Sequence, residues 1–321
     1  MGRADVNMVE ITMPTNTTLR LPTGIQIFER GWLSSNNILF LGQQGCALID
    51  SGYCTHAAQT LALVQSALQG RALDLLVNTH LHSDHCGGNA ALQAAYPALQ
   101  TLIPPGHAEY VRVWDAAALT YTPTGQSCPR FGFTATLQPG TDIRLGDLSW
   151  QVHAAPGHDT HSVILFEPVS RTLVSADALW ERGFGVVFPE LDGEDAFDEV
   201  GDTLDLIESL QPTTVIPGHG APFSEVPVAL AYARKRLEGF VASPERHMQY
   251  ATKVLLKFKL LEQQQMEMAA LVQWAQGTHF FMSAFAKHFG GLPFEDATAQ
   301  LVQDLVRSGA ATLNGSVVHN A

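Results

Sequence analysis

Residues 80 to 85 read His-Leu-His-Ser-Asp-His, so four side chains able to bind a metal fall within six positions. They follow Leu73 to Asn78, a continuous apolar run of the kind a buried strand gives, with only Thr79 between. A ligand-dense loop placed there constrains the whole fold. Imidazoles and carboxylates converge on one point only when a rigid sheet fixes the loop that carries them. The residue types are those preferred by Zn²⁺, Mn²⁺ or iron. A surface loop that happens to be rich in histidine is the weaker alternative.

The flanking sequence supplies such a sheet. Ile25 to Phe28, Asn37 to Leu41 and Cys46 to Asp50 are short β-type runs, with Gly42, Gly45 and Gly52 between or after them. A helix is predicted from His56 to Leu68, with Leu61, Val64 and Leu68 on one face and Gly70 as a stop. After Gly87-Gly88, Ala90 to Tyr96 suggests a helix that Pro97 ends. Pro104 to Pro139 is irregular and reads as an inserted loop or lid. Strand signals resume at Leu148, Trp150 and Val152, then over Ser162 to Phe166 and Thr172 to Ala176. Helix periodicity follows at Phe197, Val200, Leu204 and Ile207, and a last strand, Thr213 to Ile216, ends at Pro217-Gly218-His219-Gly220. This alternation argues for α/β layering up to about residue 222. Beyond it, Val226 to Ala242, Glu245 to Leu261, Gln264 to Gln276 and Pro293 to Ser308 read as helices. Asn314-Gly315 between apolar residues signals a closing hairpin.

HxHxDH after a strand, followed by Gly-Gly, resembles the signature of the metallo-β-lactamase superfamily. Ala155-Pro156-Gly157-His158, Ser175-Ala176-Asp177 and Ile216-Pro217-Gly218-His219-Gly220 resemble its later motifs, in order, and together they cover about residues 20 to 222. The resemblance implies an α/β fold, a four-layer αβ/βα sandwich over residues 1–222. The remainder, 223–321, then resembles a small, mostly helical, winged-helix-like C-terminal domain. It also implies two divalent metal ions, with Zn²⁺ expected and Mn²⁺ or iron as alternatives. His80, His82 and His158 would hold one ion; Asp84, His85 and His219 the second; Asp177 would bridge them. Electrostatics agrees with that set, because anionic ligands offset the repulsion of two close dications. A water shared by two metals loses a proton near neutral pH, and Asp84 is the candidate catalytic residue to orient it or take its proton.

Departures within the motifs narrow the function. Asp177 stands where the antibiotic-degrading β-lactamases typically have Cys or Ser, and His82 where the flavin-linked diiron branch usually has Glu. The spacing resembles glyoxalase II and the lactonases, and also nucleases and iron-dependent persulfide dioxygenases. A net charge of −13 argues against a nucleic-acid partner, and residues 241–321 carry six cations against six carboxylates, no basic excess. A small thioester or lactone is therefore the expected substrate class. A phosphodiesterase or ribonuclease and a persulfide dioxygenase are the rivals.

Several features bear on setting rather than chemistry. No long uncharged apolar run predicts a membrane span. Met1 to Pro22 has no signal-peptide pattern, and the four cysteines lack CxxC spacing, so a cytoplasmic protein with free thiols is expected. Covering the pocket, domain packing or homodimer formation are the roles open to the C-terminal part. His153 and His161 flank His158 as candidate partners of a ligand. Tyr121, Phe131, Phe133, Trp180, Phe184 and Phe188 could line a pocket or fill a local cluster, and Arg182 could contact an anion.

Overall fold

The computed structural model describes residues 21–288 and 292–321, and the readings for residues 1–20 lie outside it. Alternation of side chains along the strands builds its layers. Strand β2 (Asn37–Leu41) pairs antiparallel with β1 (Ile25–Phe28) and β3 (Cys46–Ile49). β3, β4 (Leu75–Val77), β5 (Gln100–Ile103) and β6 (Ala135–Thr136) then run parallel. A second sheet joins β7 (Asp142–Leu145), β8 (Leu148–Ala154), β9 (Val163–Glu167) and β10 (Thr172–Ala176) antiparallel, with β11 (Thr214–Pro217) parallel to β10.

On β2, Ile38 and Phe40 face an inner cluster with Trp150, Val152, Leu165, Val174 and Ile216 of the second sheet. Leu39, between them, faces outward onto Val64 and Leu68 of the helix Ala57–Leu68 and Leu92 of the helix Asn89–Ala95. The second sheet turns Ile164, Phe166, Leu173 and Val215 outward onto the helices Phe197–Leu210 and Val226–Ala242. Helix, sheet, sheet and helix are thus stacked in that order, the αβ/βα sandwich. Burial of both faces explains why all five positions of β9 and of β10 are buried and why neither strand alternates with exposed polar residues.

The stretch from Pro104 to Pro139 carries more order than its composition predicts. It contains the helices Ala108–Val113 and Tyr121–Thr124 and the strand β6. Each is too short to show a period. Tyr121 and Phe131 pack with Leu81, Cys86, Ile103 and Val111 beneath the histidine-rich loop.

Past the sandwich, the helices Pro244–Gln263, Met268–Gln276, His279–His288 and Phe294–Arg307 enclose their own core around Leu256, Leu271, Phe281 and Val302. Strands β12 (Gln265–Glu267), β13 (Ala311–Asn314) and β14 (Val317–Asn320) form a small sheet in the order β12-β14-β13. Two expectations change here. Gln264 to Gln276 is not one helix, because Gln264 adopts φ +64° and the next three residues pair with β14; tertiary pairing overrides helix-compatible composition. The hairpin turn is displaced by one residue, since Asn314 pairs with Val317 and leaves Gly315, at φ +63°, and Ser316 at its centre. Because Val226–Ala242 packs on the sandwich, we propose that the C-terminal unit starts at Pro244 rather than residue 223. No helix among the described residues is long and apolar enough to cross a membrane.

Buried His247 ties the two parts together, its Nε2 accepting the Val187 N–H at 3.1 Å. Burial, with Arg236 adding to it, pushes its pKa down to about 4. The unfolded chain, near 6.5, binds the proton more readily, so this contribution is complete above 6.5 and is lost as pH falls towards 4. At ~1.4 kcal/mol per unit it amounts to about 3 kcal/mol. His247→Gln is expected to flatten the fall in denaturation midpoint between pH 6.5 and 4.5. Equal slopes in the two proteins would refute the assignment.

Candidate metal centre

β3, β4, β8, β10 and β11 all end at one edge of the sandwich, and the loops beyond those ends carry the chemistry. His80 and His82 lie between β4 and the short helix Ser83–Cys86, whose first turn holds Asp84 and His85. His158 follows β8, Asp177 follows β10 directly, and His219 follows β11. Backbone bonds clamp these loops to one another. Ser51 N donates to His85 O at 2.7 Å and Ser35 N to Asp84 O at 2.9 Å. Asn36 N donates to Gly218 O at 2.7 Å, and its side chain reaches Pro217 O and Gly220 O. Close packing explains the motif glycines. A Cβ on Gly88 would lie 2.4 Å from Ser51 O, and one on Gly218 would lie 2.2 Å from Asp177 Oδ1.

All seven predicted ligands are brought together. His80, His82 and His158 form one group, Asp84, His85 and His219 another, and the ligand atoms within each lie within 4.8 Å of one another. Asp177 stands between the groups. Its Oδ1 is 3.4 Å from His85 Nε2, and its Oδ2 is 3.4 Å from His158 Nε2 and 3.8 Å from His219 Nε2. Asp84 Oδ2 lies 3.1 Å from His219 Nε2.

On His158, His85 and His80 the opposite ring nitrogen is held by a partner, which decides the tautomer. His158 Nδ1–H donates to Val186 O at 2.5 Å, leaving Nε2 as the lone-pair atom. His85 Nδ1–H donates to Asp50 Oδ2 at 2.7 Å. The Thr79 hydroxyl gives its one proton to Asp50 Oδ2 at 2.8 Å, so it accepts from His80 Nδ1–H at 3.2 Å. His82 Nε2 faces Asp159 Oδ2 at 3.7 Å, while its Nδ1 lies 2.9 Å from His158 Nε2. Buried His80 Nε2 and His85 Nε2 make no hydrogen bond among the described residues. Buried polar atoms are rarely left so. Unpaired imidazole nitrogens beside buried carboxylates are the donor set that a divalent cation fits.

Electrostatics points the same way. Burial holds His80 well below the usual imidazole range and pushes His82 down to about 4, keeping both neutral as ligands must be. Burial alone would raise the Asp177 carboxyl, but His219 and His85 outweigh it and hold the group ionised. Burial opposes charge on His85, yet Asp177, Asp50 and Asp84 together drive it well above the ordinary value. Those carboxylates demand a cation, and ligation by His85 requires its proton to leave.

The cavity over the cluster holds about 80 Å³. Trp32 stacks on His219 with centroids 5.3 Å apart and planes at 11°, and Trp180 meets both rings edge-on. Phe188 packs on His82 at 4.6 Å. Trp180 and Phe188 therefore line the cavity, whereas Phe184 is buried behind it and Tyr121 and Phe131 support the loop from below. Phe133 packs instead beneath the Arg112 guanidinium. His153 turns away and pairs with Gln151. His161 reaches Asp159 through its backbone, its N–H donating to Oδ1 at 2.7 Å while its ring packs on His107. Sequence reasoning missed Asp50, Asp159 and Trp32, and also Tyr250, Val254 and Phe258, which the helix Pro244–Gln263 brings to the cavity wall. Asp50 did carry a signal: like Asp177, it is a carboxylate ending an apolar strand. Nothing in the helical composition of the other three marks them.

A family model described as the metallo-beta-lactamase superfamily matches residues 30–219, more than half of the chain. A hydroxyacylglutathione hydrolase of Brucella anthropi is 28% identical over 168 residues, 52% of this chain and 53% of that protein. Another, of Anaeromyxobacter dehalogenans, is 31% identical over 161 residues, 50% of this chain and 52% of its own length. The chain spans about half the length of these curated relatives. Among solved structures, a metallo-beta-lactamase family protein from Thermus thermophilus shares the fold, with a TM-score of 0.54 at 19% identity over 94% of this chain and 100% of that one. TTHA1623 in a di-iron-bound form is 27% identical with a TM-score of 0.52, over 65% of this chain and 98% of that chain.

Proposed function

Because the chain belongs to the metallo-beta-lactamase superfamily, we propose that it is a dinuclear metal-dependent hydrolase that cleaves the thioester of a small substrate. The observation that carries this reading is the placement of Asp177 between two complete ligand triplets. We assign His80, His82 and His158 to one ion, Asp84, His85 and His219 to the other, and Asp177 to both. Zinc is the proposed metal, and the di-iron-bound form of TTHA1623 makes iron the ion to test against it. Bound there, the ions would polarise the scissile carbonyl and acidify a water they share.

The chain's own groups do the rest. Asp84, with 14% of its side chain exposed, faces the cavity, which supports its assignment as the group that orients the attacking water or accepts its proton. Trp180 and Phe188 keep bulk water from the reacting bond and strengthen the charges beside it. The thioester assignment draws support from the relatives named hydroxyacylglutathione hydrolase, at 28 to 31% identity.

The test joins metal content by elemental mass spectrometry to release of free thiol from S-acylglutathione and acyl-coenzyme A substrates. Two equivalents of metal are expected, with thiol release abolished by a chelator and restored by the ion. Protein that holds two metals yet releases thiol from no thioester would defeat the reading. Oxygen consumption with glutathione persulfide would then put a dioxygenase in its place.

A further inference from the structure

Beside the metal cavity a second, wider groove of about 510 Å³ runs between the sandwich and the helix Pro244–Gln263. Trp32, Trp180, Tyr250, Val254 and Phe258 line both spaces, so the two are continuous. We propose that this groove binds the thiol half of the substrate, and that this half carries a nucleotide: the substrate is a coenzyme A-type thioester with a short acyl group. The inference rests on the thioester reading above and specifies its leaving group.

Relative size gives the first reason. The space over the metals holds about 80 Å³, room for a short acyl chain, whereas the groove falls in the range of a drug-sized ligand. Charge gives the second. The chain carries −13 overall, yet Arg182, Arg236, Lys253 and Lys257 line this groove against the single carboxylate of Asp304. Such a local reversal concentrates anions. Lys257 is committed to Ala310 O, Asn320 Oδ1 and Ala321 O, and Arg236 lies over the Tyr250 ring at 4.3 Å, so these two act through their field. Arg182 is exposed and makes no ion pair or hydrogen bond among the described residues. Among the described residues Lys253 pairs with Asp304 alone, at 3.8 Å. A guanidinium and an ammonium lining one groove suit phosphate, which the guanidinium fork grips with two bonds.

Aromatic surface gives the third reason. Trp32 is 56% exposed, and with Trp180 at 5.2 Å it forms a wall against which a purine ring can stack. Glutathione would leave that wall unmatched, because it carries two carboxylates and an ammonium but no ring.

Binding can be separated from catalysis. Isothermal titration of the metal-loaded protein with coenzyme A, adenosine 3′,5′-bisphosphate and glutathione reads the groove without any bond being cleaved. Both nucleotides are expected to bind at least tenfold more tightly than glutathione. Arg182→Glu and Lys253→Glu should each weaken them at least tenfold while leaving glutathione unaffected. Circular dichroism of each variant checks the fold, and Arg182, lying at the surface, can be exchanged without disturbing the core. Absence of saturable nucleotide binding, or affinities unchanged in both variants, would overturn the proposal. If nucleotides bind as expected but no thioester is cleaved, the groove stands and the hydrolase reading falls. If acylglutathiones are cleaved and nucleotides do not bind, the reverse holds.

Discussion

Asp177→Ala is expected to lower kcat/KM for the thioester at least ~1,000-fold, about 4 kcal/mol of lost transition-state stabilisation, and to reduce bound metal from two equivalents to one or none. The expectation follows from position. No other carboxylate among the described residues reaches both ligand triplets: Asp84 lies against His219 and His85, whereas Asp177 also lies within 3.4 Å of His158. Without it, two dications would share Asp84 as their only anionic ligand, and their repulsion would go largely unopposed. The fold should survive, because Asp177 is a buried carboxylate whose unfavourable burial is offset by the histidines of the centre and by the Trp180 indole N–H, which donates to its Oδ1 at 3.3 Å, and not by contacts that hold the sheets together. Far-UV circular dichroism unchanged beside a collapse in metal content is the expected signature. Two retained metals with kcat/KM within tenfold of the parent protein would remove Asp177 from the bridging position.

Much of this centre is legible in the sequence because its ligands are local. His80, His82, Asp84 and His85 sit in one loop, and Pro-Gly-His and Ala-Asp mark the ends of strands whose apolar runs show independently. The layer order is legible for the same reason, since alternation along β2 and β8 needs only neighbouring residues. What stays hidden depends on distant chain segments. Trp32 stacks on His219 across nearly two hundred residues, and Tyr250 and Phe258 reach the cavity only because the helix Pro244–Gln263 docks on the sandwich. The cationic groove is hidden too. Residues 241–321 balance in charge, and only folding sets Lys253 and Lys257 beside Arg182 and Arg236. Strand β12 escapes notice because its three residues suit a helix as well as a strand, and β14 decides between them.

Asp50 is the most consequential residue the motifs do not name, and Asp50→Ala is expected to weaken binding of both metals, about 10- to 100-fold each. One carboxylate governs ligands on both sides of the centre. Its Oδ2 accepts from His85 Nδ1–H directly, and through the Thr79 hydroxyl it fixes the Nδ1 proton of His80, so Nε2 is the atom each ring offers to a metal, His85 once its second proton has left. Its Oδ1 accepts the Thr79 N–H at 2.9 Å. Alanine would leave those buried donors unpaired, at about 1 to 3 kcal/mol apiece, and would place a β-carbon at φ +54° without the polar side chain that makes such a conformation tolerable. A loss of fold could therefore imitate a loss of ligand control, and Asp50→Asn separates the two. Asparagine tolerates the backbone and still accepts from one side, but its amide group must meet either the Thr79 N–H or the His85 Nδ1–H, both donors. If the amide meets His85, the imidazole shifts its proton to Nε2 and withdraws a ligand. Asp50→Asn should thus keep most of the denaturation midpoint while metal affinity and kcat fall together, with excess metal restoring kcat. A variant that binds both metals with parental affinity would show that Asp50 supports the strand end and nothing more.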